Sequence, residues 1–472
     1  MSECERGRMP RQRFKDSGDI AVQHTFDPGG LEETQMTTAD IAVNDLSDVD
    51  HRKQLRRAVV ASAIGTTIEW YDFFIYGIVT GLVFAKLYFP QSDPLAGTLQ
   101  AYAVFFVGFV ARPIGAAIFG HYGDRIGRKS ALIATLLLTG LATFAVGLVP
   151  TYEQIGVWGP VLLIVLRFIQ GVGVGGEWSG SVLLSMEWAK TNAHRGFIAS
   201  CPQLGAPCGL ALANLAVLAF SQLSGDQFLT WGWRIPFLLS IVMVAFGLYI
   251  RLGIMETPVF TRVVKEARIA RAPALEAIKR QPKQVILSAF ARMGEQAPGY
   301  IYIAYIFTYG TAVLGISRDF LLLGVLTTAL LGLLWVPIAG HLSDRIGRKR
   351  MYITAAIISG TFGFVYFALL DTRAPVLMFV AIALSFLPIM NLYGPQAALI
   401  AESFAPRLRY SGAGLGYQLA SIVAGGPAPF IATALFAAFH TGYAIALYIL
   451  GCAVVSMIAT SLLTDHTNKD IS

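Results

Sequence analysis

The sequence predicts an all-α membrane protein of twelve transmembrane helices arranged as two pseudo-symmetric six-helix bundles. Three observations predict it. Hydrophobic residues make up 55% of the 472 residues and charged residues only 14%, with a mean hydropathy of +0.59. A soluble domain carries about 25% charged residues, so too little charge remains here to cover a water-facing surface. Apolar runs of about 20 residues, the length that crosses a bilayer, recur twelve times. Finally, the stretch from Gly120 to Lys129, GHYGDRIGRK, returns from Gly340 to Lys349 as GHLSDRIGRK. Each copy fills a short polar gap between two apolar runs, which is the mark of a duplicated half.

Taken in order, residues 1–55 are polar, mixed in charge and without apolar periodicity. They read as a disordered cytoplasmic tail, and Met36 is an alternative start to it. No cleavable signal precedes the first apolar run. The runs lie near 58–84, 97–120, 130–149, 159–186, 196–221 and 233–252, then 284–310, 319–340, 351–370, 375–400, 411–438 and 441–463. These define an N-terminal bundle over 56–252, a cytoplasmic linker over 253–283, a C-terminal bundle over 284–464 and a cytoplasmic tail over 465–472. The linker alternates charges at helical spacing, as surface helices do.

Charge placement orients this arrangement. Basic clusters stand before the first run (Arg52, Lys53, Arg56, Arg57), after the second (Arg125, Arg128, Lys129), after the fourth (Lys190, Arg195), in the linker, after the eighth and after the tenth. The intervening loops carry one basic residue at most, apart from Arg234. By the positive-inside rule both termini and the linker are cytoplasmic. The net charge of +7 is thus explained by membrane orientation, and a nucleic-acid partner is not expected. Cys201, Cys208 and Cys452 lie inside apolar runs and Cys4 in the tail, so no disulfide is expected. The seven histidines show no metal-ligand spacing. No ATP-binding loop or common hydrolase motif occurs, and Gly171, Gly173 and Gly176, which satisfy GxGxxG, lie within an apolar run rather than after a strand. They read as small residues that let helices approach closely.

An isolated charge at the bilayer centre costs about 3 kcal/mol on insertion scales, so ionisable residues inside the runs are functional candidates. Gly65, Glu69, Asp72 and Tyr76 share one face of the first run. In the fourth run Arg167, Gln170 and Glu177 lie near one face, yet Arg167 and Glu177 stand about 15 Å apart along the axis and cannot neutralise each other. Glu69, Arg112 and Glu177 lie at similar depth and are expected to form one network. Arg292 and Glu295, three residues apart in the seventh run, fit an intrahelical ion pair as well as a substrate contact.

The two GHxxDRIGRK loops resemble the signature loop of the major facilitator superfamily, and Arg167-x-x-Gln-Gly resembles its fourth-helix motif. Gly65-Thr-Thr-Ile-Glu-Trp-Tyr-Asp-Phe-Phe-Ile-Tyr-Gly77, Arg112-Pro-Ile-Gly115, Gly175-Gly-Glu-Trp178 and Trp231-Gly-Trp-Arg-Ile-Pro-Phe237 resemble, more narrowly, the metabolite:proton symporters. Known substrates of that group include shikimate, 2-oxoglutarate, citrate, dicarboxylates, proline and betaine. The resemblance implies the major facilitator fold and a set of cytoplasmic gate residues: Gly120, Asp124, Arg125, Gly127, Arg128 and Glu187 in the first half, and Asp344, Arg345, Arg348 and Glu402 in the second.

The expected function is proton-coupled uptake of a small organic acid or zwitterion across the bacterial inner membrane by alternating access, with no enzymatic activity. A carboxyl group that alternates between dry and wet surroundings takes up and releases a proton. Glu69, Asp72 and Glu177 are therefore the proton-coupling candidates. Arg112, Arg167, Tyr76, Gln170 and Arg292 are the substrate-binding candidates. The expected partners are the metabolite, protons and the lipid bilayer. The protein is expected to act as a monomer, without cofactor or metal, driven by the proton gradient. An exporter of drugs or toxic metabolites on the same fold, and a non-transporting membrane sensor, are the alternatives.

Overall fold

Eleven helices among the described residues are long and apolar enough to cross a membrane. The computed structural model describes residues 48–126, 128–187, 195–252, 273–405 and 408–467, and the described residues from Asp50 onward form one compact unit. In chain order the spanning helices are α1 (Val59–Tyr88), α2 (Pro94–Gly123), α3 (Lys129–Leu148), α4 (Trp158–Leu183), α5 (Arg195–Leu229) and α6 (Arg234–Leu252). After the seventh span come α8 (Arg318–Ile346), α9 (Arg348–Asp371), α10 (Pro375–Glu402), α11 (Arg409–Phe439) and α12 (Gly442–Leu462).

The predicted seventh span is present as α7, but it is interrupted. It consists of Pro282–Ala291, Met293–Tyr300, a π-helical turn at Ile301–Tyr305 and Ile306–Ala312. Pro298 removes one backbone donor inside it, and Arg292 marks a break between two segments. Further π turns occur in α1 at Thr80–Phe84 and in α11 at Ser421–Gly425. Such turns are concentrated at functional sites.

Within the first half, α4 packs on α2 and α3; within the second, α9 packs on α12 and α8 on α10. The halves meet along α5 with α8 and α10, and along α2 with α11. Glycines explain the tightest of these packings. A Cβ at Gly171 or Gly175 of α4 would overlap the backbone carbonyl of Gly108 or Arg112 in α2. The GxGxxG-like stretch is therefore a helix-packing surface, as small residues in membrane helices commonly are. The glycines that open the two loop motifs lie on the seams between halves: Gly340 packs on Ser200 of α5, and Gly120 faces Ser411 of α11. Between α8 and α9, Gly347 turns the chain with φ of 99°, a conformation that favours glycine.

Candidate functional site

Three polar clusters and one cavity lie in or beside the interface between the halves. The first cluster closes the face that carries the loop motifs. Asp344, in the last turns of α8, accepts hydrogen bonds from the backbone N–H groups of Gly196 (2.9 Å) and Phe197 (3.0 Å) at the start of α5. The first N–H groups of a helix have no intrahelical partner and form a ready site for a carboxylate. Arg348 donates to Asp344 (3.0 Å) and to Glu402 of α10, and Arg195 approaches Glu402 at 3.8 Å. The second loop motif thus ties α8, α9 and α10 to α5 of the other half. Arg345 is exposed and makes none of these contacts. In the first motif, Gly127 and the side chains of Asp124, Arg125, Arg128 and Glu187 lie outside the described residues.

The second cluster is buried in the first half. Glu177 pairs with Arg251 of α6 and accepts a hydrogen bond from Thr135 of α3 (3.2 Å). Arg251, at the end of α6, also donates to the Leu132 carbonyl. This corrects the expected network: the residue that joins Glu177 to its surroundings is Arg251, which the sequence reading left at a span boundary. Glu69 lies under the positive charges of Arg112 and Arg251, and its Oε2 has no hydrogen-bond partner. Asp72 is fully buried, and neither of its carboxylate oxygens has a partner. The nearby Thr143 hydroxyl donates instead to the Thr139 carbonyl (2.9 Å) and accepts from Gln170 (2.7 Å).

Arg112 and Arg167 are both buried, and both lie on aromatic faces. The Arg112 guanidinium carbon is 4.0 Å from the Phe73 ring centre; that of Arg167 is 4.2 Å from Tyr76 and 4.3 Å from Phe73. Cation–π contacts of this kind partly replace lost hydration. Arg167 also donates to Gln170 and to the Phe105 carbonyl (3.3 Å). Nitrogens remain without partners on each guanidinium: Nε and Nη2 of Arg112, and Nη2 of Arg167. Tyr76 presents its ring to Arg167, and its hydroxyl has no partner.

The third cluster centres on α7. Arg292 and Glu295 form the intrahelical pair at 3.3 Å. Arg292 further donates to Gln396 (3.1 Å) and to the Tyr417 carbonyl, and lies 3.2 Å from the Tyr417 ring centre. Tyr417 in turn stacks on Trp178 of α4 at 3.7 Å. A chain of polar contacts joins this cluster to the first half. Arg112 donates to Ser421 in the π turn of α11 (3.4 Å), Ser421 to Gln296 (3.5 Å), and Gln296 to Glu295 (3.2 Å).

Beside that chain lies a cavity of about 30 Å³ lined by Trp70, Phe74, Glu295, Gly299, Tyr300, Tyr393 and further apolar side chains of α5, α7 and α10. One water needs roughly 10–15 Å³ by this measure, so in this closed conformation the space has room for a few waters. None of the five substrate-binding candidates lines it. Phe73, Phe105 and Phe109 pack on the Tyr300 ring, and the two arginines lie over the same phenylalanine rings. Sequence reasoning missed Gln296, Ser421 and Tyr300 because uncharged polar residues in apolar runs carry no distinctive signal. The one available clue was the position of Gln296 next to Glu295.

The face opposite the loop motifs is also closed. Ser221 of α5 donates to Asp319 of α8 (2.7 Å), Arg318 lies over Phe228 at 4.2 Å, and the Tyr102 hydroxyl of α2 contacts Thr308 of α7 at 2.9 Å. With both faces shut and a small cavity between them, the structure is an occluded one.

Two bundles of membrane helices meeting around a central polar interface, closed at both ends by contacts between the halves, define a membrane transporter rather than an enzyme. The sequence profile of the Major Facilitator Superfamily matches residues 62–429; the chain belongs to that superfamily. It is 41% identical over 419 residues to the Escherichia coli inner membrane metabolite transport protein YhjE, covering 87% of this chain and 94% of that one. It is 41% identical over 416 residues to the E. coli shikimate transporter, covering 87% and 94%. It is 30% identical over 443 residues to the E. coli proline/betaine transporter, covering 91% and 87%. Among solved structures, the proton:xylose symporter XylE bound to 6-bromo-6-deoxy-D-glucose superposes with a TM-score of 0.69 at 18% identity, covering 89% of this chain and 98% of that one. This last likeness concerns the fold.

Proposed function

We propose that the protein is a proton-coupled symporter that takes up a small organic acid or zwitterionic metabolite across the bacterial inner membrane by alternating access. The loop-motif face and both termini are cytoplasmic in this reading. It acts as a monomer and requires no cofactor, since the proton gradient supplies the free energy. The observation that carries the reading is the imbalance inside the first half: the acids Glu69 and Asp72 are buried with carboxylate oxygens lacking a partner, while Arg112 and Arg167 keep unpartnered nitrogens. A buried, uncompensated ion costs several kcal/mol. A proton on the acid and a carboxylate on an arginine relieve both deficits, so the two ligands are favoured together. Relatives named as metabolite, shikimate and proline/betaine transporters support the substrate class.

The test uses proteoliposomes holding the purified protein, with internal pH recorded as shikimate, 2-oxoglutarate, citrate, succinate, proline and betaine are added outside in turn. Acidification by one compound, abolished by a protonophore, is the expected result. Silence across the panel from folded, inserted protein overturns the reading for these compounds.

A further inference from the structure

We infer that Arg251 is a positioning residue for proton coupling, a single guanidinium shared by Glu69 and Glu177 whose passage from Glu177 to Glu69 drives the proton off Glu69 toward the loop-motif face. The inference rests on the proton-symport reading. Three observations place Arg251 between the two acids. It is buried at the end of α6 and pairs with Glu177. Its Nη2 lies over Gly65 of α1, where a Cβ would stand 2.5 Å away, and Gly65 is one helical turn from Glu69. Glu69 is buried with Oε2 unpartnered.

The groups facing Glu69 can be named for each helix packed about it. Asp72 lies on α1 itself, Arg112 on α2 and Arg251 on α6, and Arg251 in turn holds Glu177 of α4, which accepts from Thr135 of α3. Helix α5 packs Gly205 and Gly209 on Thr66 and Tyr71 of α1, with Cys208 beside Thr67. Two arginines therefore serve the Glu69 and Glu177 pair. When a substrate carboxylate occupies the free nitrogens of Arg112, Glu69 is left with Arg251, which is committed to Glu177. Glu69 then holds a proton, and substrate and proton travel together. After substrate leaves, Arg251 moves to Glu69, the proton passes to water on the loop-motif side, and Glu177 keeps its hydrogen bond from Thr135. In moving, Arg251 also gives up the Leu132 carbonyl.

The experiment measures accumulation driven by an imposed pH gradient, and exchange with equal substrate on both sides, as a function of pH. Its probe is the compound of the panel above that acidifies wild-type vesicles. E177Q leaves Arg251 to Glu69 alone, which favours the carboxylate, so the pH for half-maximal accumulation moves lower. R251Q leaves Glu177 buried and unmatched and can fail to fold; the double variant R251Q/E177Q removes both charges of the pair. In the double variant Glu69 has lost its countercharge and keeps its proton to higher pH, so the profile moves the other way. Each displacement is about one pH unit or more, the effect of an opposite charge within reach, with exchange retained. A double variant with the wild-type profile reduces the pair to a structural tie and overturns the inference. Loss of accumulation at every pH in E177Q assigns the proton to Glu177 and also overturns it. A wild type that exchanges substrate without accumulating it overturns the symport reading itself.

Discussion

Asp344 of α8 accepts a 2.9 Å hydrogen bond from the backbone N–H of Gly196 in the first turn of α5, so an aspartate of the second loop motif caps a helix of the opposite half. With Phe197 it satisfies two N–H groups that would otherwise lack partners. Asp344→Asn keeps one acceptor oxygen and loses the charge. Hydrogen bonds to charged groups contribute about 1.5–3 kcal/mol, so the equilibrium between closed and open loop-motif face should shift about 10- to 100-fold toward open. The check is the rate at which a cysteine placed at Ser200, beneath this contact, reacts with a thiol reagent applied from the loop-motif side. A rate equal to that of the same cysteine in the Asp344 background removes Asp344 from the gate.

Asp72→Asn replaces an unpartnered acid with a neutral amide of nearly the same shape. No ion pair is broken, because Asp72 makes none in this structure, so the melting temperature should stay within a few degrees of wild type. With the coupling proton on Glu69, gradient-driven accumulation should persist together with substrate exchange. Loss of accumulation with exchange retained in Asp72→Asn vesicles would assign the proton to Asp72 instead.

Gly299 is a designed opportunity to fill the cavity. A Cβ there meets no atom within 4 Å, and the residue lies in a helical segment of α7, where alanine is favoured over glycine by about 1 kcal/mol. Gly299→Ala should fold at least as well as wild type. Gly299→Leu should fill the space between Trp70, Phe74 and Tyr393 and raise KM at least tenfold. Titration of uptake against substrate concentration checks this, and an unchanged KM in Gly299→Leu places the substrate away from this cavity.

Gly175→Ala tests the helix packing. Its Cβ would overlap the Arg112 carbonyl across the α2 and α4 contact, and overpacking of this kind typically costs about 1–3 kcal/mol. Detergent-solubilised protein should melt several degrees lower, whereas Gly451→Ala, whose Cβ would meet nothing within 4 Å, should leave the melting temperature unchanged.

The fold was legible because bilayer thickness and hydropathy fix helix length, and because the repeated GHxxDRIGRK loop exposes the duplication. The interruption of α7 was not: a break at Arg292 depends on what the neighbouring helices offer its side chain, here Gln396 and Tyr417. Charges within the runs pointed to Glu69, Asp72, Arg112, Arg167 and Glu177 because burial of an ion is costly wherever it occurs. The pairing among them was hidden, since Arg251 sits in the last turn of α6 and is indistinguishable by sequence from an arginine that ends a span in the headgroup layer. Which face of α1 looks toward the other half was likewise hidden: the acids at 69 and 72 sit with the first half's arginines, while Trp70 and Phe74 line the cavity.

The occluded state depends on contacts at both ends, and loosening each end should have opposite consequences. On the face away from the loop motifs, Ser221 donates to Asp319 at 2.7 Å and the Tyr102 hydroxyl meets Thr308 at 2.9 Å. Both pairs join one half to the other, and neither lies beside the buried acids of the first half. Each is a hydrogen bond worth about 1 kcal/mol, or somewhat more where a charge is involved. The combined variant Ser221→Ala and Tyr102→Phe should therefore favour opening on this face about tenfold or more, since 1.4 kcal/mol is one power of ten. A cysteine at Thr308 should react faster with a reagent applied from this side in the Ser221→Ala background, whereas one at Ser200 should react more slowly from the loop-motif side. The Asp344→Asn variant should reverse that pattern. If loosening either end raises reactivity at both sites together, the halves do not rock about a shared centre and the variants have simply loosened the bundle.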